Sequence, residues 1–143
     1  MKLLGVDYGL KRIGLATCDG SGFVSSPFDV IKNKGDNKNI ARLLEIIHNE
    51  RIEGVVIGLP LDKDGNETKM SGLIRGFAQK LSDKSGVMVM FINERYSSQE
   101  ATEHIREKLG IKSREKIKEL VDKMAAAMLL QTYLDNQKKG VVK

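Results

Sequence analysis

Leu3-Leu4-Gly5-Val6-Asp7-Tyr8-Gly9-Leu10-Lys11-Arg12-Ile13-Gly14-Leu15-Ala16-Thr17-Cys18 is the stretch on which the architecture turns. Residues 3–7 form a short apolar run that ends on a carboxylate. Residues 8–11 carry turn chemistry, and residues 12–18 alternate between larger apolar and small side chains. Two strands joined by a tight turn are expected. Asp19-Gly20-Ser21-Gly22 reads as a second turn, after which residues 23–31 resume extended structure. Pro27 has no N–H to donate to a ladder, so part of this third strand belongs at an edge or a bulge. The expectation is a three-stranded antiparallel meander.

Beyond residue 32 the hydrophobic period changes. Ile40, Leu43, Leu44, Ile47 and His48 share one helical face. Gly54-Val55-Val56-Ile57-Gly58-Leu59 is continuous and apolar, the pattern of a strand covered on both sides in a parallel sheet, and Pro60 stops it. Asp62-Lys63-Asp64-Gly65-Asn66 is a polar loop. Leu73, Phe77 and Leu81, with Ile74 and Ala78 beside them, mark a second helix, and residues 87–92 a further buried strand. Ser97 or Ser98 caps an expected third helix that runs to Gly110, and residues 117–134 form the last and longest one. The sum is an α/β fold: a mixed five-stranded sheet, the meander plus parallel strands, with helices on both faces. There is no repeat and no linker, so residues 1–143 read as a single domain.

Composition narrows the function. Apolar residues make up 41% and charged residues 30% of 143, too apolar for disorder and too charged for a membrane protein. The early carboxylate at Asp7 interrupts any secretory signal core, so a cytoplasmic protein is expected. One cysteine and two histidines exclude a disulfide, a CxxC pair and a zinc cage, which leaves a hard cation on oxygen as the metal this chain can hold. With 24 Lys+Arg against 19 Asp+Glu, the net charge of +5 suits a polyanion such as nucleic acid, and equally suits simple solubility.

Three carboxylates stand where burial is costly. Asp7 ends the first strand, Glu94 follows the last, and Asp122 shares a helical face with Ala125, Ala126 and Leu129. Strand ends at one edge of such a sheet lie close together, and the alanine run 125–127 lets the final helix approach them. Three anions in one pocket raise one another's pKa unless cations neutralise them, and one or two Mg²⁺ or Mn²⁺ ions do so. Each residue also has a plainer role: Asp7 as a cap on the turn at Gly9, Glu94 paired with Arg95, Asp122 paired with Lys118. The case for a site lies in their convergence.

The segments Gly5-Val6-Asp7-Tyr8-Gly9, Arg12-Ile13-Gly14-Leu15-Ala16, Gly58-Leu59-Pro60, Asn93-Glu94-Arg95-Tyr96-Ser97-Ser98-Gln99-Glu100-Ala101 and Val121-Asp122-Lys123-Met124-Ala125-Ala126 together resemble the YqgF/RuvX family. The resemblance implies an RNase H-like fold and a small bacterial nuclease, described both as a Holliday junction resolvase and as a nuclease maturing the 5′ end of the small-subunit ribosomal RNA precursor. It implies Asp7, Glu94 and Asp122 as catalytic metal ligands, and cleavage that leaves a 5′-phosphate and a 3′-hydroxyl. Asn93 stands where the family usually has Asp, which removes one negative charge beside Glu94.

Lys11, Arg12 and Arg95 adjoin the acidic motifs and are the candidate phosphate contacts. Arg106, Lys108, Lys112, Arg114, Lys116 and Lys118 extend a basic run that is either a wider binding surface or a solvated helix face. Aromatics are 5% and Trp is absent, so backbone or shape recognition is expected over base stacking. The expected partners are structured RNA or branched DNA and the ribosome, with no membrane, the chain acting as a monomer or homodimer. Two competing readings are a non-catalytic RNA- or ribosome-binding factor, and a relative of sugar kinases and actin-like ATPases, whose phosphate-binding hairpin resembles residues 7–14.

Overall fold

Small side chains on one face of the first hairpin set how the layers stack. The computed structural model describes residues 1–20, 24–94 and 114–138. Strands β1 (Leu3–Tyr8), β2 (Arg12–Cys18) and β3 (Ser25–Lys32) precede helix α1 (Asp36–Asn49). Strand β4 (Gly54–Leu59), helix α2 (Lys69–Ser85), strand β5 (Met88–Asn93) and helix α3 (Arg114–Lys138) follow. The sheet order is β3-β2-β1-β4-β5. β1–β2 and β2–β3 are antiparallel; β1–β4 and β4–β5 are parallel. The expected meander and mixed sheet are therefore observed, with a register shift at Leu15/Ala16 opposite the stretch that contains Pro27. The helix expected between Ser97 and Gly110 lies outside the described residues.

Period-two alternation sends each strand's side chains to two different layers. Leu4, Val6, Ile13, Leu15, Val55 and Ile57 pack with Ile40, Leu43, Ile74, Phe77 and Leu81 under α1 and α2. Leu3, Ala16, Cys18 and Val56 pack with Ala126, Leu129, Leu130 and Leu134 of α3 on the opposite face. The α3 face of the hairpin thus carries Gly5, Gly14 and Ala16. A Cβ on Gly5 would stand 2.9 Å from Leu130 Cβ, and one on Gly14 would overlap the Asp122 carbonyl oxygen. Helix α3 is also tied to the β3 edge, where Ser25 Oγ donates to Ala127 O at 2.6 Å.

Helix α2 begins in a capping box: Ser71 N–H donates to Thr68 Oγ1 at 3.0 Å, and Thr68 N–H donates to Ser71 Oγ at 2.7 Å. It ends at Gly86, which takes the left-handed conformation at φ 73°. Its buried face is Ile74, Phe77, Ala78 and Leu81, whereas Leu73, expected to face the core, is exposed. β4 is buried at all six positions, as its unbroken apolar run implies. β5 is not a doubly covered strand, contrary to its apolar sequence. It is the sheet edge, with Met88 and Phe91 exposed and the Arg75 guanidinium 5.1 Å over the Phe91 ring. No described helix is long and apolar enough to cross a membrane.

This packing makes Gly14 a strict requirement. Gly14→Ala should cost about 2–4 kcal/mol, because the methyl meets backbone that cannot rotate away. Chemical denaturation of the variant measures it, and a loss below about 0.5 kcal/mol would contradict so close an approach.

Candidate active site

The C-terminal ends of β1, β4 and β5 lie side by side, and the alternation that sends Leu3 and Gly5 toward α3 sends Asp7 there as well. On β5, Met90 and Ile92 pack on that same face. Glu94, in step with them, continues past the end of the strand, held to β4 by its N–H donating to Leu59 O at 3.0 Å. One strand separates Asp7 from Glu94, and on it the intervening residue is Gly58, one place beyond the Val6–Ile57 pair. A Cβ at Gly58 would stand 3.1 Å from Glu94 Oε2 and 3.0 Å from Leu129 Cδ2. The missing side chain leaves the space against which the Glu94 carboxyl lies.

Asp7 and Glu94 share a hydrogen bond, and both are half-buried. Burial, then the Glu94 charge and hydrogen bond, then the Asp122 charge push Asp7 up to about 8. Burial also raises Glu94, and the hydrogen bond from Asp7 opposes that rise. The two carboxyls therefore share one proton when no cation is present.

Asp122 stands beside this pair, near enough to act on Asp7 electrostatically. Its Oδ2 accepts from Arg12 Nε at 2.6 Å, with both side chains half-buried. The ion pair expected between Asp122 and Lys118 is not the one formed. Arg12, a candidate phosphate contact, instead restrains the third carboxylate. Among the described residues no group of three or more His, Cys, Asp or Glu is arranged to hold a metal ion. The structure thus brings Asp7 and Glu94 together and leaves Asp122 adjacent, held back by Arg12. Lys11 is exposed on the turn between β1 and β2. Arg95 lies outside the described residues, as does the basic run from Arg106 to Lys112, while Arg114, Lys116 and Lys118 are exposed on α3.

The donor set suits a hard divalent cation. Mg²⁺ is commonly held by one or two carboxylates, with water and substrate phosphate completing its shell, and two buried carboxyls sharing a proton are the groups a cation displaces it from. Beside Glu94, a cavity of about 460 Å³ is lined by Leu61, Asp62, Asp64, Gly65 and Asn93 among others. Asn93 lines this cavity together with Glu94. The sequence marks residues 62–66 only as a polar loop. It also assigns no role to Gly58, although a glycine inside an otherwise unbroken strand is the signal for a close approach.

The shared proton has a thermodynamic consequence. Asp7 binds its proton more tightly folded than unfolded, so its contribution to metal-free stability is full at low pH and is lost progressively between about pH 4 and 8. Asp7→Asn cannot ionise. Its stability relative to the parent should rise over that range by a few kcal/mol, at about 1.4 kcal/mol per pKa unit. Urea denaturation in chelator at pH 5 and pH 8 measures this, and a pH-independent difference would contradict the shared site.

Comparison with known proteins supplies independent findings. The family model described as RuvX, Holliday junction resolvase, matches residues 1–136. A protein of Endomicrobium trichonymphae named as a pre-16S rRNA nuclease is 42% identical over 136 residues, covering 95% of this chain and 96% of its own. One of Anaplasma marginale (strain St. Maries) with the same name is 37% identical over 142 residues, covering 99% and 89%. Among solved structures, Thermus thermophilus RuvC in complex with Holliday junction substrate superposes with a TM-score of 0.62 at 22% identity, covering 100% of this chain and 99% of that one. The fowlpox virus Holliday junction resolvase gives 0.58 at 15%, covering 95% and 99%. These two likenesses establish the RNase H-like fold.

Proposed function

Because the chain belongs to the RuvX family, we propose that it is a cytoplasmic, divalent-metal-dependent nuclease, a hydrolase of phosphodiester bonds that matures the 5′ end of the small-subunit ribosomal RNA precursor. The observation that carries this reading is the meeting of Asp7 and Glu94 at the rim of the sheet. The relatives' names point to RNA, whereas the family description points to branched DNA, so junction resolution is the second reading.

Asp7, Glu94 and Asp122 are the catalytic residues of this proposal. Asp7 and Glu94 would hold one or two Mg²⁺ or Mn²⁺ ions through their carboxylate oxygens, and Asp122 would join them once substrate phosphate drew Arg12 away. Such an ion, when bound, would supply activation of water and neutralisation of charge on the leaving oxygen. The chain's own groups do the positioning. Lys11 on its exposed turn, Arg12 and Arg95 contact the phosphates that flank the scissile bond. Residues 1–143 act as one catalytic domain, which end trimming requires only as a monomer; paired junction cuts would need a two-fold dimer.

Asp7→Asn tests this directly. The parent should cut precursor ribosomal RNA in Mg²⁺ or Mn²⁺ and be inert in chelator. The variant should lose at least about 100-fold in rate while remaining folded. Running a four-way DNA junction alongside decides the substrate. An unchanged rate in the variant would remove Asp7 from the mechanism, and cleavage in chelator would remove the metal.

A further inference from the structure

A second cluster of charge lies away from the carboxyls. Lys32, Lys34, Lys38 and Arg42, with Ile31 and Asn39, line a cavity of about 370 Å³ between the end of β3 and the first turns of α1. Four cations and no carboxylate line it. Among the described residues, Lys32, Lys34 and Lys38 form no ion pair with a carboxylate, while Arg42 is shared between Asp29 at 3.9 Å and Glu45 at 3.5 Å. Asp36, the nearest acid in sequence, is engaged by Lys80 Nζ at 3.3 Å and by the Tyr8 hydroxyl at 3.2 Å. The three lysines, gathered beside Arg42 without a carboxylate of their own, repel one another, and a bound anion relieves them.

The loop that presents these lysines is built rather than loose. Asn39 is buried, and its amide Nδ2 donates to Asn33 Oδ1 at 2.8 Å while its Oδ1 accepts from Lys34 N–H at 3.0 Å. Asn33 in turn donates from Nδ2 to Gly9 O at 2.8 Å and from its backbone N–H to Lys11 O at 2.9 Å. Gly35 accommodates the bend at φ 98°. Two asparagines therefore clasp the basic loop onto the turn that follows Asp7. Lys32 pairs in register with Arg12, and Gly14, two residues on, pairs with Asp7. At about 4.8 Å per strand spacing, β3 lies about 10 Å across the sheet from β1. The cavity opens at the same end of the sheet as the carboxyls, on the side toward α1.

We propose that this cavity is a second phosphate-binding site, holding the sugar-phosphate backbone of the substrate a short distance along the strand from the scissile bond. The proposal rests on the nuclease reading of the carboxyl site. Lys34 and Lys38 neutralise backbone charge, and the asparagine clasp fixes their distance from Asp7, so the site sets which bond reaches the carboxyls. It contributes to binding and register and not to bond breaking.

The test is the double variant Lys34→Gln/Lys38→Gln. Binding is measured in an Asp7→Asn background, and cleavage with Asp7 intact, on precursor ribosomal RNA and a four-way junction. The double variant should bind the substrate about 10-fold more weakly near physiological salt. The slope of log K against log salt should be shallower by about 1.4–1.8, at 0.7–0.9 per lost phosphate contact. KM should rise with kcat at saturation unchanged, and Lys34→Arg/Lys38→Arg should restore both affinity and slope. Unchanged affinity and slope, in a parent that still cleaves, would overturn the second site and leave the nuclease reading standing. A weakened double variant that arginine fails to restore would also overturn it. A parent that neither binds nor cleaves either nucleic acid would overturn the nuclease reading and this inference with it.

Discussion

Two carboxyls that would repel each other as anions are held together across a strand that offers no side chain between them. Gly58 stands one place beyond the Val6–Ile57 pair, and a methyl there would press on both Glu94 and Leu129. Partly removed from water, the pair retains one proton, and without metal the arrangement loses stability as that proton leaves. In the proposed mechanism a divalent ion would replace that proton, and the neutralised pair would become a site that takes water and phosphate.

The fold reaches this point through close approach. Gly5, Gly14 and Ala16 on the sheet and Ala126 and Ala127 on α3 bring helix and hairpin nearly into backbone contact, so Asp122 arrives beside Asp7 with its main chain against Gly14. Arg12 lies at the start of β2 on the same side and takes the Asp122 carboxylate. Hard packing on one face of the hairpin thus sets the electrostatics at its end. On the other face, the larger residues Ile13 and Leu15 fill the layer under α1 and α2, and β3 carries the chain to the basic loop.

Much of this was legible in the residues. The alternation of large and small in β2 is the two-layer packing written along the chain, and the unbroken run 54–59 is a strand covered on both faces. Asp7 and Glu94 were recognisable because each ends an apolar run, where an ionised group needs a reason. Other features were not. The apolar run before Glu94 looked doubly buried, yet neighbours in space decide which strand is the edge, and Met88 and Phe91 are exposed as a result. Leu73 falls one position outside a helical face whose limits depend on the sheet beneath it. The partner of Asp122 is Arg12, 110 residues away, while local spacing suggested Lys118. The asparagine clasp that joins residues 33 and 39 to the turn after Asp7 carries no periodic signal at all.

The most direct measurement is the titration of the Asp7 and Glu94 side-chain carboxyls by carbon-13 NMR, in chelator and then in saturating Mg²⁺. The account predicts that in chelator one proton of the pair is held up to about pH 8, and that Mg²⁺ moves this titration down to the ordinary acid range of carboxylates. Two independent titrations near pH 4 in chelator, unmoved by Mg²⁺, would contradict it.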